Sequence, residues 1–309
     1  MRPMNTANKR IVVTGTKGQV ALSLVEVAVS YPGIEIVLAG RPELDLTSPE
    51  SVREVVSHLQ PSAIISAAAY TNVDGAESDA ATAAKVNTDG ARALAHAAVE
   101  VGIPLIHLST DYVFDGQKPG PYKETDQPAP INVYGATKLE GERIITETCA
   151  DCVILRTSWI FSPFGKNFVR TMLSLASIKT DLHVVDDQYG SPTSAHEIAR
   201  ACLQVLHNLW SAPDDARLRG IFHMSCEGYT NWADFAREIF SISATRGGPS
   251  AFVHGIRSDE YPTVARRPTN SRLDCSRLRE VHGISLPSWQ ASLKPVVERL
   301  ISQHEGIGK

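Results

Sequence analysis

The stretch Ile11-Val12-Val13-Thr14-Gly15-Thr16-Lys17-Gly18-Gln19-Val20-Ala21 decides the fold of this chain. Its first three residues form a continuous apolar run, which is typical of a strand buried on both faces of a sheet. Leu22, Leu24 and Val25 follow it with helical spacing. The stretch therefore predicts a strand, a glycine turn and a helix in succession.

The glycine turn has the spacing G-x-x-G-x-x-A, from Gly15 through Gly18 to Ala21. Glycines at such a turn let the backbone approach a pyrophosphate, whose charge then meets the helix N-terminus. The spacing departs from the G-x-G-x-x-G fingerprint, and on its own it is also compatible with an ordinary tight turn. The turn becomes informative only together with other signals of nucleotide chemistry in the same chain.

Short apolar runs recur along the chain with helical stretches between them. This alternation is typical of a parallel sheet with helices on both faces. The runs are Ile11–Val13, Ile34–Ala39, Ala63–Ser66, Leu105–Leu108 and Val153–Leu155. We therefore predict an α/β fold with a doubly wound parallel sheet of the Rossmann type.

A phenol and an ammonium lie one helical turn apart in the stretch 134–138, YGATK. On a helix this spacing puts Tyr134 and Lys138 on one face, about 5–6 Å apart at Cβ. The reference pKa of tyrosine is about 10, and we expect the nearby cation to lower it, so that the phenol becomes a usable proton donor. Thr110 follows the apolar run Leu105–Leu108, at a strand end where ligands gather in open α/β sheets. We predict that Thr110, Tyr134 and Lys138 form a catalytic set.

With these motifs the chain resembles the extended short-chain dehydrogenase/reductases and, within them, the dTDP-4-dehydrorhamnose reductase family. The resemblance covers nearly the whole chain. The segments that carry it are Ala67–Asp74 with Ala76-Glu77, Ser109–Phe114, Asn132–Gly135, Arg156–Trp159, Asp187–Thr193, and Ala265–Pro268 with Asn270-Ser271.

The resemblance implies NAD(P)H-dependent reduction of the C4 ketone of a dTDP-linked 4-keto-6-deoxy sugar. Tyr134 would deliver the proton, Thr110 would orient the ketone oxygen, and Lys138 would hold the nicotinamide ribose. It also implies a smaller α+β substrate lobe assembled from later segments. We expect residues 1–160 and 192–226 to form the dinucleotide-binding domain, and residues 161–191 and 227–309 to form that lobe.

The cofactor is expected to be NADPH, with NADH tolerated. An acidic residue at the end of the second strand would favour a ribose 2′-hydroxyl, but Gly40-Arg41 occurs there, and a guanidinium could pair with a 2′-phosphate. A solvated loop arginine is the alternative. The expected cofactor positions are Gly15, Lys17, Gly18, Gln19, Val20, Arg41, Asp45, Leu46, Ala67, Ala68, Ala69, Tyr134 and Lys138.

Substrate contacts are expected, by resemblance, at Val73, Asp111, Trp159, Arg266 and Arg267. The two arginines could clamp the diphosphate, a task that suits the planar fork of a guanidinium. A buried core position is an equal alternative for the tryptophan, and surface ion pairs are the alternative for the arginines.

No metal site is expected. Some members of the family dimerise through magnesium held by glutamates, but the corresponding positions here are taken to be Ser23 and His196, which lack the carboxylate oxygens that magnesium prefers. A monomer and a homodimer are both compatible with the sequence. Asn87 matches an asparagine of the superfamily, and we expect it to have a structural role first.

Composition narrows the class of protein further. The formal net charge of −4 gives no electrostatic reason to expect binding to nucleic acid or to an anionic membrane. Met1–Arg10 lacks an apolar core, so we expect a short polar tail rather than a signal peptide. Five cysteines, an odd number, fit a reducing compartment, and the cytoplasm is the expected location.

Two other functions remain compatible with the sequence. One is a reductase or epimerase for another nucleotide-linked 4-keto sugar, which the same threonine, tyrosine and lysine would serve. The other is a non-catalytic regulatory subunit, because the β-subunit of methionine adenosyltransferase shares this fold and similar segments.

Overall fold

A six-stranded parallel sheet organises the molecule in the computed structural model, which describes the backbone of residues 8–305 and the side chains of residues 8–303. The strands are β1 Lys9–Thr14, β2 Ile34–Ala39, β3 Ala63–Ser66, β4 Leu105–Thr110, β5 Cys152–Thr157, β6 Ile160–Phe161, β7 Asp181–Val185, β8 Tyr189–Gly190, β9 Thr193–Ser194, β10 Gly220–His223, β11 Thr230–Asn231 and β12 Phe252–Ile256. The helices are α1 Gln19–Ala28, α2 Pro49–Leu59, α3 Val73–Ser78, α4 Ala80–Ala84, α5 Gly90–Val101, α6 Val133–Thr148, α7 Phe168–Ala176, α8 Ala195–Ser211, α9 Trp232–Thr245, α10 Ser276–His282 and α11 Trp289–Glu305.

The strand order in the large sheet is β10-β5-β4-β3-β1-β2, and every neighbouring pair is parallel. After β1 the chain adds β2 on one side and then crosses to place β3 on the other side. The order therefore reverses between β1 and β3, and such a reversal opens a crevice at the carboxyl ends of the strands. The predicted doubly wound α/β fold is confirmed.

Helices cover both faces of this sheet, because successive strand residues point to opposite sides. Ile11 and Val13 pack on the side of α1 and α8, whereas Val12 packs on the side of α2 and α5. All three side chains are fully buried. Burying one such side chain stabilises a fold by about 1.5–3 kcal/mol, so the apolar run at the start of the chain fixes the centre of both layers.

The remaining strands form three two-stranded sheets, β7 with β12, β8 with β11, and β6 with β9. Helix α9 packs against β7 and β12 on one side and against α11 on the other. These elements follow β5 in the chain and come from its later half.

One local expectation is corrected by the structure. Lys9 and Arg10 belong to β1, paired with Ile34 and Glu35, and so are not part of a polar tail; residues 1–7 of that predicted tail lie outside the described residues. A π-helical turn at Lys85–Asp89 precedes α5. Within residues 8–305, no helix combines the length and apolar character needed to cross a membrane.

Candidate active site

One hydroxyl group joins the end of β1 to the segment after β3, at the crevice. Thr14 Oγ1, at the end of β1, accepts hydrogen bonds from the backbone N–H groups of Ala67 and Ala68, each at 2.9 Å. These two residues follow β3 directly, and with Ala69 they line the crevice with small side chains. The spacing of the two strand ends is thereby fixed at the sheet's switch point.

The glycine turn after β1 has the geometry that an anion site requires. Gly15 has φ of 91°, and a Cβ atom added there would lie 3.3 Å from Ala68 Cβ. Gly18 caps α1 without any side-chain hydrogen bond, so the first N–H groups of that helix remain available to a ligand. Lys17, in the turn before the helix, is exposed, and Val20, in the first turn of α1, is buried.

The side chain of Gln19, one of the expected cofactor positions, is committed to hydrogen bonds outside the glycine turn. Its Nε2 donates to the carbonyl of Ile160 at 3.3 Å, and its Oε1 accepts from the Ser162 hydroxyl at 2.8 Å. The side chain thus ties α1 to the segment after β5. Only the backbone of Gln19 is left to face a ligand at the helix N-terminus.

The end of β2 carries an exposed arginine beside a restrained carboxylate. Arg41 is exposed. Hydrogen bonds from the backbone and side chain of Thr47 are the main reason that the pKa of Asp45 is lowered, and the charges of Arg41 and Lys85 add to the effect. Leu46 is buried next to them. The positive groups near Asp45 give this corner of the crevice a place for an anionic substituent.

Helix α6 begins at Val133, so that Tyr134 lies in its first turn and Lys138 follows one turn later. Asn132 Oδ1 caps the helix by accepting from Gly135 N at 2.8 Å, and Glu77 accepts from Val133 N at the same distance. Two caps hold one helix end, which gives Tyr134 a fixed position.

Lys138 is 2% exposed and bonds to β4 rather than to the phenol. Its ammonium donates to the carbonyl of Leu108 at 2.7 Å and lies 3.0 Å from His107 Nε2. Because the ammonium can only donate, Nε2 accepts, and His107 Nδ1 carries the proton that reaches the Ser66 hydroxyl at 3.0 Å. Burial lowers the pKa of Lys138 to about 8, and the charge of Glu142 opposes that shift.

The pKa of Tyr134 is raised to about 12, mainly by burial, while a hydrogen bond with Thr110 pulls it down and the charge of Asp111 pushes it up. The expectation that Lys138 lowers this pKa is therefore wrong. The physical reason is that the lysine charge is directed at His107 and Leu108. Thr110, rather than Lys138, is the residue that opposes the rise of the Tyr134 pKa.

Asp111 follows Thr110 and is 3% exposed. One carboxyl oxygen, Oδ1, accepts from the Thr110 hydroxyl at 2.9 Å, whereas Oδ2 is buried with no hydrogen-bond partner. Burial raises the pKa of Asp111 to about 7, and the nearby Ser271 hydroxyl and the hydrogen bond from Thr110 oppose that shift. Thr110 and Asp111 are thus buried together at the end of β4, and the half-buried Tyr134 is close enough to Thr110 for its pKa to be affected.

Trp159 occupies a strained position just after β5. Its φ is 47°, a left-handed conformation that is uncommon for a bulky residue and is found most often at functional sites. The indole stacks on Trp232 with ring centroids 3.5 Å apart, and a Cβ atom added at Gly190 would lie 2.6 Å from it. The ring is half-buried, so it is neither a full core residue nor a free surface.

Arg266 and Arg267, the two arginines expected to bind the diphosphate, have different surroundings. Arg267 forms a two-pronged ion pair with Asp74, at 2.8 and 2.7 Å, and its fork is therefore already occupied. Arg266 is exposed, and its backbone carbonyl accepts from Asn132 Nδ2 at 2.9 Å. Val73, half-buried at the start of α3, lies next to the ion pair in the chain.

Several polar residues at the site were not identified from the sequence. Glu142 and Arg156 form an ion pair with side chains 1% and 2% exposed, and Glu142 follows Lys138 by one turn of α6. His107 is a polar residue within an apolar strand, a pattern that could have indicated a partner for the lysine.

Asn87, which was expected to have a structural role, hydrogen-bonds both the N–H and the carbonyl of Tyr70 and also Thr137, which supports that role.

Ser23 and His196, the positions expected to correspond to the magnesium-binding glutamates, have other surroundings in this structure. Ser23 is fully buried with an unpaired hydroxyl. His196 lies 2.8 Å from Glu26, which is also held by both terminal nitrogens of Arg299. Among the residues that the structure describes, no three His, Cys, Asp or Glu side chains are grouped so as to hold a metal ion.

A family profile described as the RmlD substrate binding domain matches residues 9–302. The chain belongs to this family. A relative from Sinorhizobium fredii strain NGR234, named dTDP-4-dehydrorhamnose reductase, is 48% identical over 292 residues, which are 94% of this chain and 98% of the relative. The resemblance stated from the sequence motifs is thereby confirmed.

Solved structures of the family agree with the fold. A dTDP-4-dehydrorhamnose reductase from Clostridium acetobutylicum superposes with a TM-score of 0.86 at 34% identity, covering 94% of this chain and 99% of that one. Another from Bacillus anthracis, solved in complex with NADP, also gives 0.86, at 35% identity, covering 94% of this chain and 98% of that one. The likeness therefore includes both the large sheet and the later segments.

Proposed function

We propose that this protein is an NADPH-dependent reductase that converts dTDP-4-dehydro-L-rhamnose to dTDP-L-rhamnose. The observation that carries the proposal is the cluster of Thr110 and Tyr134 beside a nucleotide-type crevice, with Lys138 buried behind it. The relatives named dTDP-4-dehydrorhamnose reductase, which match nearly the full length of this chain, support the choice of substrate.

The residues of the crevice fit a dinucleotide phosphate. The uncapped start of α1 and the open backbone at Gly15 and Gly18 suit a pyrophosphate, and the exposed Arg41 suits a 2′-phosphate. Ala67–Ala69 leave room for close approach at the end of β3. When bound, NADPH supplies the hydride that reduces the C4 ketone; NADH, which lacks the 2′-phosphate, would forgo the contact with Arg41.

The chain's own residues hold the ketone and provide its proton. Tyr134 donates the phenolic proton to O4, and the Thr110 hydroxyl orients the same oxygen by a hydrogen bond. General acid catalysis of this kind contributes about 10²–10⁴ to a rate. Lys138 holds the nicotinamide ribose in this proposal, and His107 and Leu108 fix the direction of its ammonium.

The sugar nucleotide would lie against the later half of the chain. Val73, Asp111 and Trp159 border the sugar, and Arg266, which is free of the ion pair made by Arg267, is the better of the two arginines for the diphosphate. A role of Arg267 on the diphosphate would require it to leave Asp74. Through its ion pair with Asp74, Arg267 connects the loop at 265–268 to α3.

We also propose the division into a dinucleotide-binding domain, residues 1–160 and 192–226, and a substrate lobe, residues 161–191 and 227–309. Strand β10 pairs with β5 in the large sheet, whereas β7 and β12 pair only with each other, which supports this division. A cytoplasmic location agrees with the five cysteines, all of which are free thiols.

The test is to mix purified protein with NADPH and enzymatically prepared dTDP-4-dehydro-L-rhamnose and to follow nicotinamide absorbance, with the product identified by NMR. We expect stoichiometric oxidation and a product with the rhamno configuration at C4. Tyr134→Phe should lower kcat by roughly 10²–10⁴ while NADPH binding, measured by fluorescence titration, is retained.

Other outcomes would point to other functions. A product with the opposite C4 configuration would indicate a sister reductase. Turnover by Tyr134→Phe at the wild-type rate would remove the tyrosine from its role. Absence of turnover together with tight association with a methionine adenosyltransferase would favour a regulatory subunit.

A further inference from the structure

One amide side chain joins the start of α6 to residues 265–267, here called the arginine segment. Asn132, the residue before α6, is 7% exposed, and its Oδ1 accepts from Gly135 N at 2.8 Å. Its Nδ2 donates to the backbone carbonyl of Arg266 at 2.9 Å. These partners fix the orientation of the amide, because a backbone N–H needs an acceptor and a carbonyl needs a donor.

Helix α3 holds the same segment and the same helix from a second side. Asp74 accepts from Ala265 N at 2.9 Å and from the two terminal nitrogens of Arg267 at 2.8 and 2.7 Å. Glu77, three residues later in α3, accepts at 2.8 Å from the N–H of Val133, the first residue of α6. The start of α6, helix α3 and the arginine segment therefore form a triangle with a hydrogen bond along each side.

The capping of α6 does not by itself require an asparagine. Serine, threonine and aspartate are also favoured at the N-cap, because their side-chain oxygens accept from the same backbone N–H groups. Among these residues only asparagine adds an amide donor beside the acceptor. Asn132 thus forms the one side of the triangle that a substitution can remove while the cap of α6 remains.

The start of α6 is also fixed by the segment that follows β4. A Cβ atom added at Gly135 would collide with the backbone carbonyl of Tyr112. Backbone atoms cannot move aside as the end of a flexible side chain can, so this contact holds the first turn of α6 in place. Loss of the bond from Asn132 should therefore displace the arginine segment and leave Tyr134 where it is.

We propose that Asn132 is a positioning residue, which sets the distance from Tyr134, at the ketone end of the substrate, to Arg266, at its diphosphate end. Tyr134 follows Asn132 by two residues, and Arg266 provides the carbonyl group that Asn132 holds. Because the sugar ring separates the two ends of the substrate, this distance decides whether both ends are bound together. The proposal rests on the proposed reductase function and adds to it a residue that acts through Arg266.

The first experiment measures kcat and KM for the sugar nucleotide in Asn132→Asp and Asn132→Ser. Both variants keep an oxygen that caps α6, but the aspartate has no donor and the serine hydroxyl ends one bond earlier. An arginine that holds the diphosphate equally in the ground and transition states affects KM and not kcat. We expect KM to rise by about tenfold or more in both variants, with kcat and the KM for NADPH changed by less than about twofold.

Asn208→Ser is the matched control, since it removes the same kind of bond at a distant place. There Nδ2 donates to the backbone carbonyl of His282 at 2.9 Å, between α8 and the end of α10. We expect this variant to keep the wild-type KM for the sugar nucleotide. An equal rise in Asn208→Ser and Asn132→Ser would mean a general loosening of the fold and would contradict the proposal.

A double-mutant cycle tests whether Asn132 acts through the arginine. Arg266→Ala keeps the backbone carbonyl but removes the guanidinium, so KM should rise, and adding Asn132→Ser should raise it no further. Additive effects would give Asn132 an independent role. A rise in Asn132→Asp alone would indicate charge repulsion, and a lower kcat at unchanged KM would indicate a structural role. Each of these three results would overturn the proposal.

The second experiment needs neither cofactor nor substrate. Hydrogen–deuterium exchange, followed by mass spectrometry, compares the wild type with Asn132→Ser. We expect faster exchange in the peptide of residues 262–269 and wild-type exchange in the peptide of residues 136–145. Unchanged exchange in the first peptide would show that Asn132 does not hold the arginine segment. If the exchange changes as expected but the wild type oxidises no NADPH with this substrate, the proposed function fails and the connection through Asn132 stands.

Discussion

Lys138 and His107 show how burial sets the charges of two hydrogen-bonded residues at the site. Their nitrogen atoms lie 3.0 Å apart, and burial lowers the pKa of both groups. The histidine is therefore the neutral acceptor. The lysine has a pKa of about 8, so it loses its proton within the range where many enzymes are assayed.

This lowered pKa predicts a stability that rises with pH. Between pH 8 and 10.5 the unfolded chain binds the lysine proton more strongly than the folded protein, so the free energy of unfolding increases with pH. From pH 7 to pH 9.5 we expect Lys138 to contribute an increase of about 2 kcal/mol. Urea denaturation of the wild type and Lys138→Met at both pH values measures it, as a difference that cancels other titrating groups. A constant difference between the two proteins would contradict the buried, lowered lysine.

Arg41 carries a prediction about cofactor preference. Its exposed guanidinium lies near the end of β2, close enough to Asp45 to act on that carboxyl group. Arg41→Glu would place a negative charge where the 2′-phosphate of NADPH is proposed to bind. We expect the KM for NADPH to rise at least tenfold more than the KM for NADH, measured in the same assay. Equal changes in the two KM values would mean that Arg41 is a solvated loop residue.

At the scale of elements, α6 can position Tyr134 and Lys138 only because it lies very close to the π-helical turn at Lys85–Asp89. A Cβ atom added at Gly141 would collide with the backbone carbonyl of Asn87, within that turn. The carbonyl cannot move aside as a flexible side chain can. The glycine thus sets the distance between the two helices.

Gly141→Ala should therefore destabilise the fold. Alanine gains about 1 kcal/mol in helix propensity over glycine, but overpacking against backbone costs about 1–3 kcal/mol, and the displaced α6 also strains its caps. We expect a net loss of about 1–2 kcal/mol in the free energy of unfolding, measured by urea denaturation. Gly120→Ala, where a Cβ atom meets nothing within 4 Å, is the control. An unchanged midpoint in Gly141→Ala would show that α6 can shift freely.

The strands and the order of motifs could be predicted from the sequence because buried strands and glycine turns leave local patterns. Ile11–Val13 and the YGATK stretch are two such cases, and both lie where the patterns indicate. Partners across the fold leave no such pattern. The ion pair of Arg267 with Asp74 and the hydrogen bond from Lys138 to His107 each join residues far apart in the chain. Because the partner of Lys138 could not be predicted, the predicted direction of the Tyr134 pKa shift was wrong.

At the scale of the whole molecule, Glu26 joins three helices that are distant in sequence. It lies on α1, accepts from Arg299 of α11 at 2.8 Å through both oxygens, and lies 2.8 Å from His196 of α8. The hydrogen bond from Arg299 is the main reason that its pKa is lowered to about 2, with burial opposing and His196 adding to the shift. The cluster connects the C-terminal helix to the first helix.

This cluster should stabilise the protein above pH 4.5 and lose its effect as the pH falls toward 2, because the folded protein then has to bind a proton that it resists. Both side chains of the Glu26–Arg299 pair are more than a third exposed, so we discount the effect for solvent screening to about 1 kcal/mol. Urea denaturation of Glu26→Gln at pH 7 and at pH 3 measures it. Glu140→Gln, which removes a more exposed pair within α6, should change stability by less than about 0.5 kcal/mol. A loss in Glu26→Gln that persists unchanged at pH 3 would contradict the ionic origin.

The stacked indoles of Trp159 and Trp232 connect the segment after β5 to the start of α9. They are two of only four tryptophans in the chain. Aromatic chromophores at such a separation couple electronically, so their near-ultraviolet circular dichroism and emission depend steeply on the gap between them. The fluorescence and circular dichroism of the protein therefore report any change in the distance between the segment after β5 and α9, without an attached dye.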